Sequence, residues 1–242
     1  MLATKSQLHL HNIWSRNIFP FSMEGCVLYL PLWQEDMQGD PILSYDPSHH
    51  SCDISEAVWG ITGRTFDGVD DKIVVADALS TLTDEFTVII WAYIDPADAK
   101  LDAQIAYIFD TGGYSTNGFV IYWEDRGGAS GLNRINCAAV FVTSGAVGFG
   151  SGDNAITTAG WYMITLKHNK NSGSVIRVDG VDKGTGAYTE AVVTPTGTPY
   201  LAAKNNNTTY LKTIIGELIV FSRELTDPED ESIRLATKGK YL

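Results

Sequence analysis

Apolar residues recur along this chain with a period of two, in short runs cut apart by Gly, Asn and Asp. The most regular run, 83–94, sets Phe86, Val88, Ile90, Ala92 and Ile94 on one face of an extended chain and Thr87, Ile89, Trp91 and Tyr93 on the other. A strand that is apolar on both faces belongs inside a sandwich or beneath a covering layer. The stretch 26–33 reads as another such strand, and Pro31, which lacks a ladder donor, should interrupt it or hold it at an edge. Further strands are predicted near 57–59 and over 104–109, 118–123, 134–142, 161–168, 174–178 and 211–221, with 39–50 as a turn-rich loop. The dipeptides Asp67-Gly68 and Asp179-Gly180 signal tight turns. The first is expected to join 64–66 to 72–75 as a β-hairpin.

One helix is predicted, at the end. Thr226-Asp227-Pro228-Glu229 has the spacing of a capping box with proline in the first turn, and Arg234, Lys238 and Lys240 follow toward the negative end of the dipole. Ile233, Leu235 and Ala236 are the residues expected to pack it. Many short strands, regular turns and little helical period make the fold all-β, an antiparallel sandwich. The division falls at residue 25. Residues 1–25 have no clean period yet carry Trp14, Ile18, Phe19 and Phe21, an extended arm whose apolar side chains need a surface to lie on, either of this domain or of a neighbouring subunit. Residues 26–242 form the domain.

Composition narrows the function. A formal charge of −12 over 242 residues argues against nucleic-acid binding, which needs a basic face. Cys26, Cys52 and Cys137 are too widely spaced for a zinc site and odd in number, so three buried thiols in a reduced compartment are expected. The first 25 residues lack the apolar core of a signal peptide, and no run approaches the ~20 apolar residues of a membrane span. Asp67, Asp70 and Asp71 crowd negative charge at the first turn, which a cation, backbone amides or solvent must take up. Five histidines, none within H-E-x-x-H or beside G-x-S-x-G, leave no hydrolase constellation.

Four segments together resemble the laminin-G-like branch of the concanavalin A-like jelly rolls. Gly63 to Ile73, GRTFDGVDDKI, resembles the motif G-x-x-F-D-G-x-D-D-x-(hydrophobic), and Phe86 to Trp91 is similar to F-T-(hydrophobic)-x-x-W. Gly160-Trp161-Tyr162 with Arg177-Val178-Asp179-Gly180, and Gly216-Glu217 through Arg223-Glu224-Leu225, resemble two later motifs in the family's order. The resemblance implies a two-sheet antiparallel jelly roll with a short C-terminal helix. It further implies a structural Ca²⁺ held by Asp46, Asp67, Asp70, Asp71 and Glu217, although the loop after Asp46 is shorter than usual. The glycanases of this fold carry E-x-D-x-x-E, which is absent here, so no enzymatic activity is expected. Lectins of the fold use aromatic faces and loop carboxylates; Tyr114, Asn117, Tyr122, Trp123 and Asp125 form such a patch, though Tyr122 and Trp123 point oppositely on a strand. The segments VLYLPLW and RLATKGKYL resemble laminin-G-like proteins of tailed bacteriophages. The expectation that follows is a virion protein assembled in the host cytoplasm, present in many copies or as a homo-oligomer. Its arm would dock on capsid or tail proteins, and adhesion to glycans is the alternative role.

Overall fold

The computed structural model describes residues 21–98, 105–113, 115–125, 132–205 and 209–242. Two antiparallel sheets face each other. Sheet A runs β14 (Val181–Gly186), β13 (Gly173–Val178), β12 (Gly160–Asn169), β7 (Glu85–Ile94), β16 (Lys212–Phe221), β5 (Gly63–Asp67), β4 (Val58–Gly60). Sheet B runs β11 (Gly145–Gly150), β10 (Arg134–Phe141), β9 (Phe119–Glu124), β8 (Ile105–Asp110), β15 (Tyr200–Leu201), β6 (Lys72–Val75), β3 (Ser51–Ser55), β2 (Ile42–Leu43). This is the expected jelly-roll sandwich. The remaining strand, β1 (Cys26–Pro31), pairs with β16 alone and ends at its proline, as a residue without a donor requires.

The doubly apolar run 83–94 becomes β7, registered residue for residue with β12 from Glu85↔Asn169 to Ile94↔Gly160 and with β16 on its other side. Its even-numbered face meets sheet B, where Phe86 stacks on Phe119 with ring centroids 4.5 Å apart. A stacked pair of this kind adds about 0.5–1.5 kcal/mol to the burial of its area. Its odd-numbered face is covered by the C-terminal helix α1 (Asp227–Thr237): Thr87 Oγ1 accepts the Leu225 amide, and the Trp91 indole donates to Thr237 Oγ1 at 2.8 Å.

The helix begins with the complete capping box at Thr226 and Glu229. Leu235 was expected to pack but is 51% exposed, and the buried side is instead Asp230, Ile233 and Thr237. The acids of the first turn do more than serve the dipole. Lys167 bonds Asp227 at 2.7 Å, and Arg177 and Thr165 bond the fully buried Asp230 at 2.7 and 3.1 Å. These cations come from the outer face of β12 and β13, so the helix is fixed to sheet A by charge as well as by apolar contact.

The stretch expected to be a hairpin is a corner. β5 pairs with β4 and β16 in sheet A, β6 with β3 and β15 in sheet B, and the two do not pair with each other. The Asp-Gly turn therefore carries the chain from one sheet to the other. Asp179-Gly180 does make a hairpin turn, with φ of 52° and 78°, between β13 and β14. The loop expected over 39–50 contains β2, and β3 follows it. At the far edge β14 and β11 close the sandwich: a Cβ on Gly184 would lie 1.8 Å from the Gly150 carbonyl oxygen.

All three thiols are free and buried, and burial pushes Cys26 and Cys52 up to about 12. Phe21, the described end of the arm, lies edge-on to Tyr29 of the same chain at 6.0 Å; Trp14, Ile18 and Phe19 lie outside the described residues. Among the described residues no helix is long and apolar enough to cross a membrane.

His168 sits in the core between the rings of Phe86 and Phe141, its Nδ1 2.8 Å from Ser174 Oγ. Burial holds it below the ordinary histidine range, outweighing the opposing pull of the Glu190 backbone and Asp84. The unfolded chain therefore binds this proton more readily than the folded one. Stability from His168 is present above about pH 6.5 and is lost as pH falls toward the lower folded value, with a slope of at most about 1.4 kcal/mol per pH unit. Urea titrations of wild type and His168→Gln from pH 7 to 5 are expected to show a flatter profile for the variant; parallel profiles would exclude the assignment.

Candidate functional site

Residues at the corner satisfy one another first. Asp67 Oδ1 accepts the Val69 amide at 2.7 Å, and Asp71 Oδ2 accepts the Asp67 amide at 2.8 Å. Gly68 at φ +78° lies so close to β16 that a Cβ would meet the Lys212 Cβ at 2.9 Å. Beside this turn the side chains of Asp70 and Asp71 meet Glu56, their carboxylate oxygens within 4.8 Å of one another. Burial, together with the charges of Asp67, Asp70 and Glu56, raises the Asp71 carboxyl above its ordinary value against the backbone bond that lowers it. Three clustered carboxylates suit a hard cation such as Ca²⁺, which takes oxygen ligands. Glu56 was invisible in the sequence because nothing local marks it; it reaches the corner only because β3 and β4 flank the strands on either side of the turn.

Two residues expected in this cluster are elsewhere. Asp46 is fully buried, accepting the Tyr29 amide at 3.2 Å and the Ser48 amide at 2.9 Å. Glu217 is fully buried on the outer face of sheet A, opposite Trp91. Its Oε1 accepts from Trp33 Nε1 and Lys240 Nζ, both at 2.7 Å, and from Tyr29 at 3.4 Å. Lys240 Nζ also stands 4.0 Å over the Trp33 ring, and Tyr241 packs between Trp91 and Trp161 at 4.8 and 4.6 Å. The bulge at Gly216 makes room for that ring, since a Cβ there would lie 2.4 Å from it. Glu217 thus anchors the end of the described chain.

The aromatic patch is divided by the pleat of β9. Trp123 follows Phe119 and Ile121 inward and is fully buried, which removes it from any surface site. Asp125 accepts the amides of Leu132 at 2.7 Å and Asn133 at 3.3 Å. Asn117 ties its own loop to Thr196 through both ends of its amide, at 3.1 and 3.3 Å. Tyr114 lies outside the described residues.

Tyr122 points outward, into a row that the spacing along one strand could not reveal. The registers place Tyr107, Tyr122, Asn136 and Gly150 side by side across β8, β9, β10 and β11. The two tyrosine rings are 5.8 Å apart, and Lys204 lies 5.4 Å over Tyr107. In the next row Glu124 Oε2 accepts from Arg134 Nε and Nη2 at 3.1 and 2.8 Å and from the Asn136 amide. Although burial opposes it, the Glu124 hydrogen bond and charge raise the Arg134 guanidinium above its ordinary value. Gly150 is bare for a reason: a Cβ would sit 1.9 Å from Asn136 Oδ1. On this face of sheet B Tyr122 is the partly exposed ring, backed by Tyr107 and Asn136, which are 6% and 4% exposed.

Residues 67–229 match the family described as the Concanavalin A-like lectin/glucanases superfamily. No protein of curated function shows significant sequence similarity. Similar solved structures include the receptor binding domain of botulinum neurotoxin C/D mosaic serotype (TM-score 0.69, 13% identity, 89% of this chain and 52% of that one). Another is the serotype D ligand binding domain in complex with N-acetylneuraminic acid (TM-score 0.67, 14% identity, 88% and 51%). A third is the binding domain of botulinum neurotoxin DC in complex with SialylT (TM-score 0.67, 12% identity, 88% and 52%). The chain spans about half the length of these neighbours, and at such identities they share the fold.

The corner gives a test with a definite sign. Because the raised Asp71 carboxyl makes its charged form unfavourable, Asp71→Asn is expected to raise the melting temperature in EDTA at pH 7, and to abolish any further rise on adding Ca²⁺. A lower melting temperature for the variant in EDTA would contradict this electrostatic account.

Proposed function

This chain belongs to the Concanavalin A-like lectin/glucanases superfamily, and from that premise we propose that it is a non-catalytic carbohydrate-binding module reading glycans on the outer face of sheet B. The observation that carries the reading is the cross-strand row Tyr107–Tyr122–Asn136. Sugar rings present an apolar face to aromatic side chains, and Tyr122 is the partly exposed ring of this row, held beside the buried Tyr107 at 5.8 Å. Two of the neighbours above, about half of whose length this chain spans, are complexes with N-acetylneuraminic acid and SialylT, which supports glycan binding as a class of function.

Catalysis fits the same face poorly. Glycoside hydrolysis needs two carboxyl groups roughly 5–10 Å apart. Glu124 shares Arg134 with Asp153, which pairs with the same guanidinium at 3.3 Å, and Asp110 lies further along the same strands. Asp110 pairs with Val120, four residues along β9 from Glu124, which is about 13 Å at strand rise. Each is also engaged, Glu124 by Arg134 and Asn136 and Asp110 by the amides of Gly112 and Asn205. For the Ca²⁺ expected at the corner, the same reading assigns Glu56, Asp70 and Asp71 as ligands in a structural role.

A virion role is the finer reading, and one observation favours it. The segments resembling phage proteins, VLYLPLW and RLATKGKYL, meet around Glu217 through Tyr29, Trp33, Lys240 and Tyr241, as expected if they form one structural unit. Under this reading the module is displayed on a particle in many copies. Capsid, portal and tail genes beside its own are the expected context; a setting among unrelated metabolic genes would count against it.

A glycan array probed with the full chain tests binding. At least one glycan is expected to bind, with Tyr122→Ala weakening it by about 1–2 kcal/mol, or roughly 5–30-fold, at unchanged melting temperature. An array without any hit would overturn the reading.

A further inference from the structure

The outer side of sheet A offers a second concavity. β7 ends at Ile94, and β16 runs on past it to Thr213 and Lys212, paired there with β5 alone. The space between this stretch and the turn through Asp95 and Asp98 is a pocket of about 190 Å³. Its walls are the side chains of Tyr93, Ile214 and Thr65, and its rim carries Asp95, Asp98 and Lys212. Tyr93 is partly exposed and meets Trp161 edge to face at 6.0 Å, which holds its ring in one orientation.

We propose that this pocket is a second saccharide site, one that takes the terminal ring of a neutral glycan. The proposal rests on the carbohydrate-binding reading and adds to it a place and a charge selectivity. Specific small-molecule sites are mostly apolar with a few converging polar groups, and here an aromatic and an aliphatic wall face a polar rim. The volume is below the ~300 Å³ of sites for drug-sized molecules and suits a single ring.

The rim is also available for exchange. Lys212 bonds Asp98 at 2.6 Å, but the lysine side chain is 46% exposed, and ion pairs that reach into solvent are worth little, so sugar hydroxyls can compete for the ammonium. Asp95 uses Oδ1 to cap the Ala97 amide at 3.0 Å, which fixes the carboxylate while Oδ2 remains to accept a hydroxyl. Among the described residues the rim carries two carboxylates, Asp95 and Asp98, and one ammonium, Lys212, a net negative edge. A carboxylated sugar is repelled; a neutral one is not.

Amide-resolved NMR of the full chain, titrated separately with glucose, galactose, N-acetylglucosamine and N-acetylneuraminic acid, tests this. At least one neutral sugar is expected to shift the amides of Thr65, Tyr93, Asp95 and Asp98, and N-acetylneuraminic acid to leave them unmoved. Tyr93→Ala should weaken that binding about tenfold or more. If Tyr93→Ala does not fold, Asp95→Asn, which keeps an oxygen for the Ala97 cap and removes the second acceptor, should weaken it in the same titration. Shifts confined to Tyr107, Tyr122 and Asn136 would overturn the pocket and leave the carbohydrate-binding reading standing. Equal binding of N-acetylneuraminic acid at the pocket would overturn the charge selectivity, and no shift with any sugar would overturn the pocket outright.

Discussion

The structure depends on one constraint: the central strands of sheet A are apolar on both faces. β7 has one residue set that must meet sheet B and another, Thr87, Ile89 and Trp91, that must be kept from water on the other side. At about 25 cal/mol per Å² of apolar surface, leaving that second face exposed would cost several kcal/mol against a total stability of only about 5–15. The sandwich therefore needs a third layer. The helix α1 and the Lys238–Lys240 turn with Tyr241 supply it, and each is tied down by polar contacts whose partners come from sheet A. Arg177 and Lys167 hold Asp230 and Asp227, and Glu217 holds Lys240 and Trp33.

This asymmetry decides where function can lie. Sheet A spends most of its outer surface on cover, whereas sheet B brings one ring of its cross-strand row, Tyr122, partly to the surface. The pocket near Tyr93 arises at the one end of β7 where the third layer stops. Both surfaces follow from strand lengths: β16 outruns β7 at one end, and three strands of sheet B line up long enough to set Tyr107, Tyr122 and Asn136 abreast.

Buried acids show how the same residue type takes opposite roles. Asp46 is satisfied by backbone amides, Asp230 by cations, and Asp71 is strained by its neighbours. The motif around Asp67 marked the corner as acidic, but the residue that completes the cluster, Glu56, comes from outside the motif. Glu217 belongs to a motif as well, and its task is to anchor the end of the chain.

Residue order alone determined the strands with clear period-two patterning, the capped helix, the buried thiols and the sandwich class, because each rests on contacts or dihedrals within a few positions. It also separated Tyr122 from Trp123, since alternation on a strand is a local property. Tertiary structure alone decided the rest. Whether Asp67-Gly68 closes a hairpin or turns a corner depends on the partners of β5 and β6, which are distant in sequence. Leu235 is left in solvent and Asp230 buried because cations on β12 and β13, not the apolar stripe by itself, set the helix's rotation. Which side chains stand beside Tyr122, and where a pocket opens, depend on strand registers, and a register is a relation between segments that no single segment encodes.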